Sequence, residues 1–142
     1  MNRIERCGVN DYPTLVGIWE RSVRATHKFL CERDIVEIRD ALVPVYFPNV
    51  ELYCIVADDA IAGFIGLSES MIEMLFVDDL QRGRGYGSAL ISHAISLGAD
   101  SVDVNEQNPL AIEFYKSKGF HIVGRDEYDM SGRHYPILHL TL

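Results

Sequence analysis

Three glycines at alternate positions, Gly83, Gly85 and Gly87, are interleaved with two arginines, Arg82 and Arg84. They join the apolar run 71–77 to a stretch of helical periodicity carrying Ala89, Leu90, Ala94, Ile95 and Leu97, with Gly98 as its stop. A glycine-rich loop leading from a strand into a helix is an anion-binding arrangement. The helix start exposes N–H groups without intrahelical acceptors and carries partial positive charge. Glycine lets the backbone approach a phosphate and adopt positive φ. The ligand is narrowed by spacing. A Walker A loop needs Gly-Lys-Ser/Thr, which is absent. A dinucleotide fingerprint places its last glycine one residue later than Gly87, although Asp103 lies about 20 residues on, as that motif requires. Too little chain follows for the second half of a dinucleotide fold.

The rest of the chain reads as alternating helical and strand periods. Asn10-Asp11-Tyr12-Pro13 supplies a cap and an early proline, and Leu15, Ile18, Trp19 and Val23 follow at helical spacing to about Arg24. After a polar segment at Thr26-His27-Lys28, Asp34 is expected to cap a second helix with Ile35, Ile38 and Leu42 on one face, ending before Pro48. Strands are expected at 52–57 and 61–67, joined by a turn at Asp58-Asp59, and at 71–77. A short strand at 101–104 precedes a helix opened by Asn108-Pro109 and closed by Gly119. Strands at 120–124 and 135–140 flank a turn at Gly132. With an opening strand, the order is strand, two helices, a strand meander, helix, strand, helix, two strands. That is a mixed α/β fold without a linker, expected as one domain over 1–142.

Composition excludes several partners. The 142 residues carry 21 Asp and Glu against 13 Lys and Arg, a net charge of −8, so a nucleic-acid partner is not expected. No apolar run approaches the ~20 residues that span a bilayer, and the charged start is not a signal peptide. A cytoplasmic, non-membrane protein is the expectation. The three cysteines, Cys7, Cys31 and Cys54, form no CxxC and are expected to be buried thiols; His93, His121, His134 and His139 show no metal-ligand spacing.

Two motifs occur in order. Arg82-x-x-Gly85-x-Gly87 follows Leu75-Phe76-Val77 and opens a helix, and Asn108-x-x-Ala111-x-x-Phe114-Tyr115-x-x-x-Gly119-Phe120 follows it after one helix and one strand. Together they resemble the two signatures of the GNAT superfamily of N-acetyltransferases and cover about half the chain. Arg21-Ser22-Val23, Ala25-Thr26-His27 and Val104-Asn105-Glu106-Gln107-Asn108 further resemble the YjaB-type bacterial subgroup. The resemblance implies a twisted, mostly antiparallel sheet with a splayed parallel pair, flanked by helices. It implies acetyl-CoA as co-substrate and direct acetyl transfer to a primary amine, of a small molecule or a peptide, in a ternary complex. A monomer or homodimer is compatible with it.

The resemblance also assigns candidate residues. The coenzyme pyrophosphate is expected on Arg82, Gly83, Arg84, Gly85, Tyr86, Gly87 and Ser88, with Ser88 starting the helix. The pantetheine arm is expected along the backbone of Leu75, Phe76 and Val77, with Asn108 contacting it. Tyr115 matches the tyrosine that protonates the departing thiolate, a role a phenol of pKa about 10 can fill. A backbone N–H near Leu75 would stabilise negative charge on the thioester oxygen. Glu73 interrupts an apolar run and is the candidate base, with Glu69 second; strict alternation would instead point Glu73 to solvent. His27 and Trp19 are candidates for the acceptor wall, His27 also for proton relay, with structural roles open to both. Arg21, Arg24 and Lys28 either recognise an anionic acceptor group or form a solvated face. Cys54, among apolar neighbours, has no activating base nearby in sequence. Two other readings use the same loop: a non-catalytic coenzyme A-binding sensor, and a module for ATP or a dinucleotide.

Overall fold

In the computed structural model, which describes residues 2–142, helix α1 (Tyr12–Thr26) buries Leu15, Ile18, Trp19 and Val23. These lie on one stripe, with Pro13 in the first turn where no N–H is missed. Helix α2 (Glu32–Ala41) starts earlier than the sequence suggests. Its cap is Cys31, in extended conformation, and Asp34 lies buried inside the first turn, where a carboxylate is favoured by the helix dipole. A π-type turn at Leu42–Tyr46 and a 3-10 turn at Phe47–Asn49 carry the chain to the sheet.

Two compact units are formed, Met1–Ala99 and Asp100–Leu142. In the first, strands β1 (Arg3–Arg6), β2 (Glu51–Ala57), β3 (Ala60–Ser68) and β4 (Met71–Val77) pair antiparallel in sequence order. β1 is the opening strand that periodicity left undelimited. It is a charged edge strand, and none of its residues is fully buried. Asp58 and Asp59 both take positive φ (52° and 63°), the geometry of a tight two-residue hairpin turn. Leu52, Cys54, Val56 and Phe64 meet α1 and α2 in the core, with Met74 and Phe76 against them. Helix α3 (Tyr86–Ser96) packs on β2, β3 and β4 through Tyr86, Leu90, Ile91 and Ala94. Ile95 and Leu97, expected on that stripe, are instead exposed, because the buried face runs one residue ahead.

In the second unit, β7 (Ile137–Thr141) lies between β5 (Ser101–Asn105) and β6 (His121–Asp126), antiparallel to both. Val102, Val104, Leu138 and Leu140 are buried on one face. On the other, the His139 ring bridges Asp103 and Asp126 at 2.6 Å each. Helix α4 (Pro109–Ser117) starts at the Asn108-Pro109 cap as expected, and Gly119 follows it at φ 99°. Both units are mixed α/β. The thiols divide: Cys54 is buried, Cys7 half-buried, and Cys31 exposed, contrary to expectation, because it caps a helix at the surface.

Candidate active site

The glycine-rich segment is anchored before it begins. Asp78, directly after β4, accepts two hydrogen bonds from the Arg21 guanidinium on α1 (3.0 and 2.8 Å) and a third from the Leu80 N–H at 3.2 Å. That pairing holds the Asp78 carboxyl below the usual carboxylate range. Arg21 is therefore a structural clamp, not a free recognition group. Neither are the other two cations free: Arg24 pairs with Glu20 and Glu32, and Lys28 Nζ donates to the Arg24 carbonyl.

Beyond a 3-10 turn at Asp79–Gln81, Arg82 pairs with Asp79 at 3.2 Å. Gly83 and Gly85 then take φ of 79° and 81°, and no atom lies within 4 Å of where a Cβ would stand at either. Glycine is needed there for conformation, not for space. Gly85 is the left-handed cap of α3 and has no side chain to satisfy the first turn. Its carbonyl accepts the Ala89 N–H at 3.1 Å. The N–H groups of Tyr86, Gly87 and Ser88 are left for an external acceptor. The helix thus starts at Tyr86 rather than Ser88, since the Tyr86 ring is part of the buried face. Arg84 has no ion-pair partner among the described residues and borders a cleft of ≈ 310 Å³ with Arg3, Ile55 and Tyr86. Three aimed amides, a free guanidinium and no competing carboxylate on the first turn fit a pyrophosphate.

β4 carries the second part of the site. Gly66 pairs with Met74 and Leu67 with Ile72, so Glu73 is the extra residue of a β-bulge. Glu73 is exposed, and the bulge, rather than simple alternation, sets its direction. Leu75, Phe76 and Val77 are half-buried. The Phe76 ring touches Trp19 edge-on at 6.4 Å and His27 at 6.3 Å. Trp19 is 4% exposed, a core residue that backs Phe76. His27, the cap residue at the end of α1, also stacks against Phe29 at 5.3 Å, and burial lowers its pKa below the ordinary imidazole value. Its Nδ1 lies 2.8 Å from Thr26 Oγ1. Neither the Glu73 bulge nor the Arg21–Asp78 clamp is visible in the sequence. The sole local signal for the clamp is Asp78 two residues before Leu80, the spacing of an Asx turn.

In the second unit, Tyr115 is buried and flanked by Phe114 (5.4 Å) and Phe120 (5.7 Å). Burial drives its phenol pKa well above the ordinary value, so it holds its proton at any physiological pH. The Asn108 carboxamide oxygen accepts the Ala111 N–H at 3.3 Å. The cap uses one side of that group and leaves its NH₂ for a ligand. No cluster of three or more metal-ligating side chains occurs among the described residues, and no helix is long and apolar enough to cross a membrane.

In the first unit, a strand running into a glycine cradle at a helix start is an arrangement that suits a polyphosphate-bearing acyl carrier. The profile of the "Acetyltransferase (GNAT) domain" matches residues 39–137. A peptidyl-lysine N-acetyltransferase, YjaB of Salmonella typhimurium, is 39% identical over 142 residues, 99% of this chain and 97% of that one. The solution structure of apo-form YjaB from Escherichia coli superposes with a TM-score of 0.90 at 40% identity, covering 99% and 97% of the two chains. A putative streptothricin acetyltransferase from Bacillus anthracis, solved with acetyl coenzyme A, matches at 27% identity and a TM-score of 0.59 over 67% of this chain and 62% of that one. The chain belongs to the GNAT acetyltransferase family, and it is an acyltransferase.

Proposed function

We propose that the chain, as one domain over residues 1–142, transfers an acetyl group from acetyl-CoA to the ε-amino group of a lysine in a peptide or protein, in the cytoplasm, as a monomer or homodimer. The observation that carries the cofactor is the cradle of Gly83 to Ser88 opening α3 directly after β4. The lysine acceptor is supported by the name of the Salmonella relative. The net charge of −8 also suits a cationic acceptor.

Bound acetyl-CoA supplies an activated acyl group on sulfur. The chain's own residues do the rest. The amides of Tyr86, Gly87 and Ser88, with Arg84 and Arg82, bind the pyrophosphate. The backbone of Leu75, Phe76 and Val77 pairs with the pantetheine amides in strand fashion, and the Asn108 NH₂ donates to the same arm. Tyr115, kept neutral by burial, donates its proton to the departing sulfur. Glu73, exposed on the bulge, serves as counter-ion to the lysine ammonium and as the acceptor that passes its proton to water. His27 and Phe76, backed by Trp19, form the acceptor wall.

Thermal unfolding with acetyl-CoA, ATP and NAD tests the cofactor. At about 100 times its dissociation constant a ligand adds about 2.7 kcal/mol, a rise of several degrees for a domain of this size. Acetyl-CoA is expected to give that rise and the nucleotides none; the reverse would return the loop to the nucleotide reading. The sensor reading is separated by Tyr115→Phe. We expect turnover of a lysine peptide to fall about 100-fold with acetyl-CoA affinity unchanged. Undiminished turnover would remove Tyr115 from the chemistry.

A further inference from the structure

We propose that His27 is the catalytic base of this acetyltransferase, its Nε2 lone pair taking the proton from the lysine nitrogen as it attacks the acyl carbon. This deepens the lysine-acetylation reading and rests on it.

The argument starts at Thr26. Its hydroxyl has one proton, and Oγ1 lies 2.7 Å from the Ser22 carbonyl oxygen, which can only accept. The proton therefore points at Ser22, the usual back-bond of a threonine in a helix. Oγ1 also lies 2.8 Å from His27 Nδ1. With its proton spent, Oγ1 must accept there, so Nδ1 carries the hydrogen. In the neutral ring, Nε2 is then the nitrogen with the lone pair. The tautomer is fixed by a chain of three groups ending on a helix carbonyl, as a base is held by an orienting partner. No described residue hydrogen-bonds Nε2, and it is not among the sealed, unsatisfied polar atoms. It is thus open to a ligand.

Position agrees. The ring packs on Phe76 of β4, whose backbone is proposed to run beside the pantetheine arm, and on Phe29. Charges on the surrounding elements are accounted for. On α1, Arg24 is paired with Glu20 and Glu32, and Arg21 with Asp78. In the following loop, Lys28 is bound to the Arg24 carbonyl. On β4 the ionisable residue is Glu73. Desolvation alone lowers the imidazole pKa, so the ring is neutral and ready to accept at pH 7. In the step, the lysine nitrogen forms the bond to the acyl carbon and the carbon–sulfur bond breaks. The ammonium's first proton has already left by way of Glu73; the second, shed as the nitrogen bonds to carbon, goes to Nε2, and the thiolate takes one from Tyr115. Water restores both side chains.

The test uses the full chain, acetyl-CoA and an N-terminally blocked peptide with one lysine. For the wild type, kcat/KM is expected to show an acidic limb below the ordinary imidazole pKa. His27→Gln should lose about 100-fold in kcat and remove that limb, with the acetyl-CoA thermal shift unchanged. Thr26→Val, nearly isosteric, should lower kcat about tenfold while Thr26→Ser restores it, which a merely structural residue would not do. Long-range ¹H–¹⁵N spectra of histidine-labelled protein, assigned with His27→Gln, should show Nδ1 protonated. Wild-type kcat with an intact limb in His27→Gln, or a proton on Nε2, would overturn the proposal. A peptide left unmodified by the wild type would instead overturn the lysine reading, and the spectra would still decide the His27 tautomer.

Discussion

Single side chains in this protein act through what they are tied to. Asp78 is 8% exposed and holds Arg21 in a two-pronged contact while capping the turn at Leu80. Removing it leaves the clamp without its acceptor and the Leu80 N–H unpaired. Asp78→Ala is expected to cost about 2 kcal/mol in denaturant unfolding, less than a fully buried pair because Arg21 is half-exposed. The Asp78 pKa is depressed on folding, so its contribution is present above the unfolded value near 4 and lost as pH falls through the folded one. Wild type and variant should therefore converge in stability toward pH 2. The two cysteines facing each other, Cys7 and Cys54, show the same dependence on surroundings. The Cys7 thiol, hydrogen-bonded to Cys54 and desolvated, is held far above the ordinary thiol pKa and is a poor nucleophile at neutral pH.

At the level of strands and helices, close approach sets the limits. A Cβ on Gly63 would stand 2.9 Å from the Phe76 carbonyl oxygen, a backbone atom that cannot swing away. Gly63→Ala must push β3 from β4 along the stretch that carries Phe76 and Val77. A loss of about 2 kcal/mol is expected, together with weaker acetyl-CoA binding, measured by unfolding and by calorimetry. Among the three strands of the second unit, His139 ties β7 to β5 through Asp103 and to β6 through Asp126. Donating to both requires the imidazolium, and the two carboxylates raise its pKa. A raised folded value means the contribution is complete below the unfolded pKa of about 6.5 and disappears as pH rises through the folded one. The melting point of the wild type should exceed that of His139→Gln by about 2 °C at pH 6 and match it near pH 9; a constant difference would exclude the charge effect.

For the molecule as a whole, local chemistry was legible in the sequence and spatial coupling was not. The glycine cradle could be read because φ > 0 leaves few residue choices, and Gly83 and Gly85 both take it. The Asn108-Pro109 start and the Gly119 end of α4 could be read because cap chemistry is confined to neighbours along the chain. The α1 stripe followed from period alone. Asp34 as a cap and Ile95 and Leu97 as core failed because several nearby residues satisfy the same pattern, and packing chooses between them. Only the tertiary structure decided that Arg21 clamps Asp78 across 57 positions, that a bulge sets the direction of Glu73, and that the His27 ring packs on Phe76. The reason is physical. Backbone conformation and capping are short-range, so the sequence carries them in single residues, whereas long-range ion pairs, strand register and ring packing depend on groups that meet only after the chain has folded.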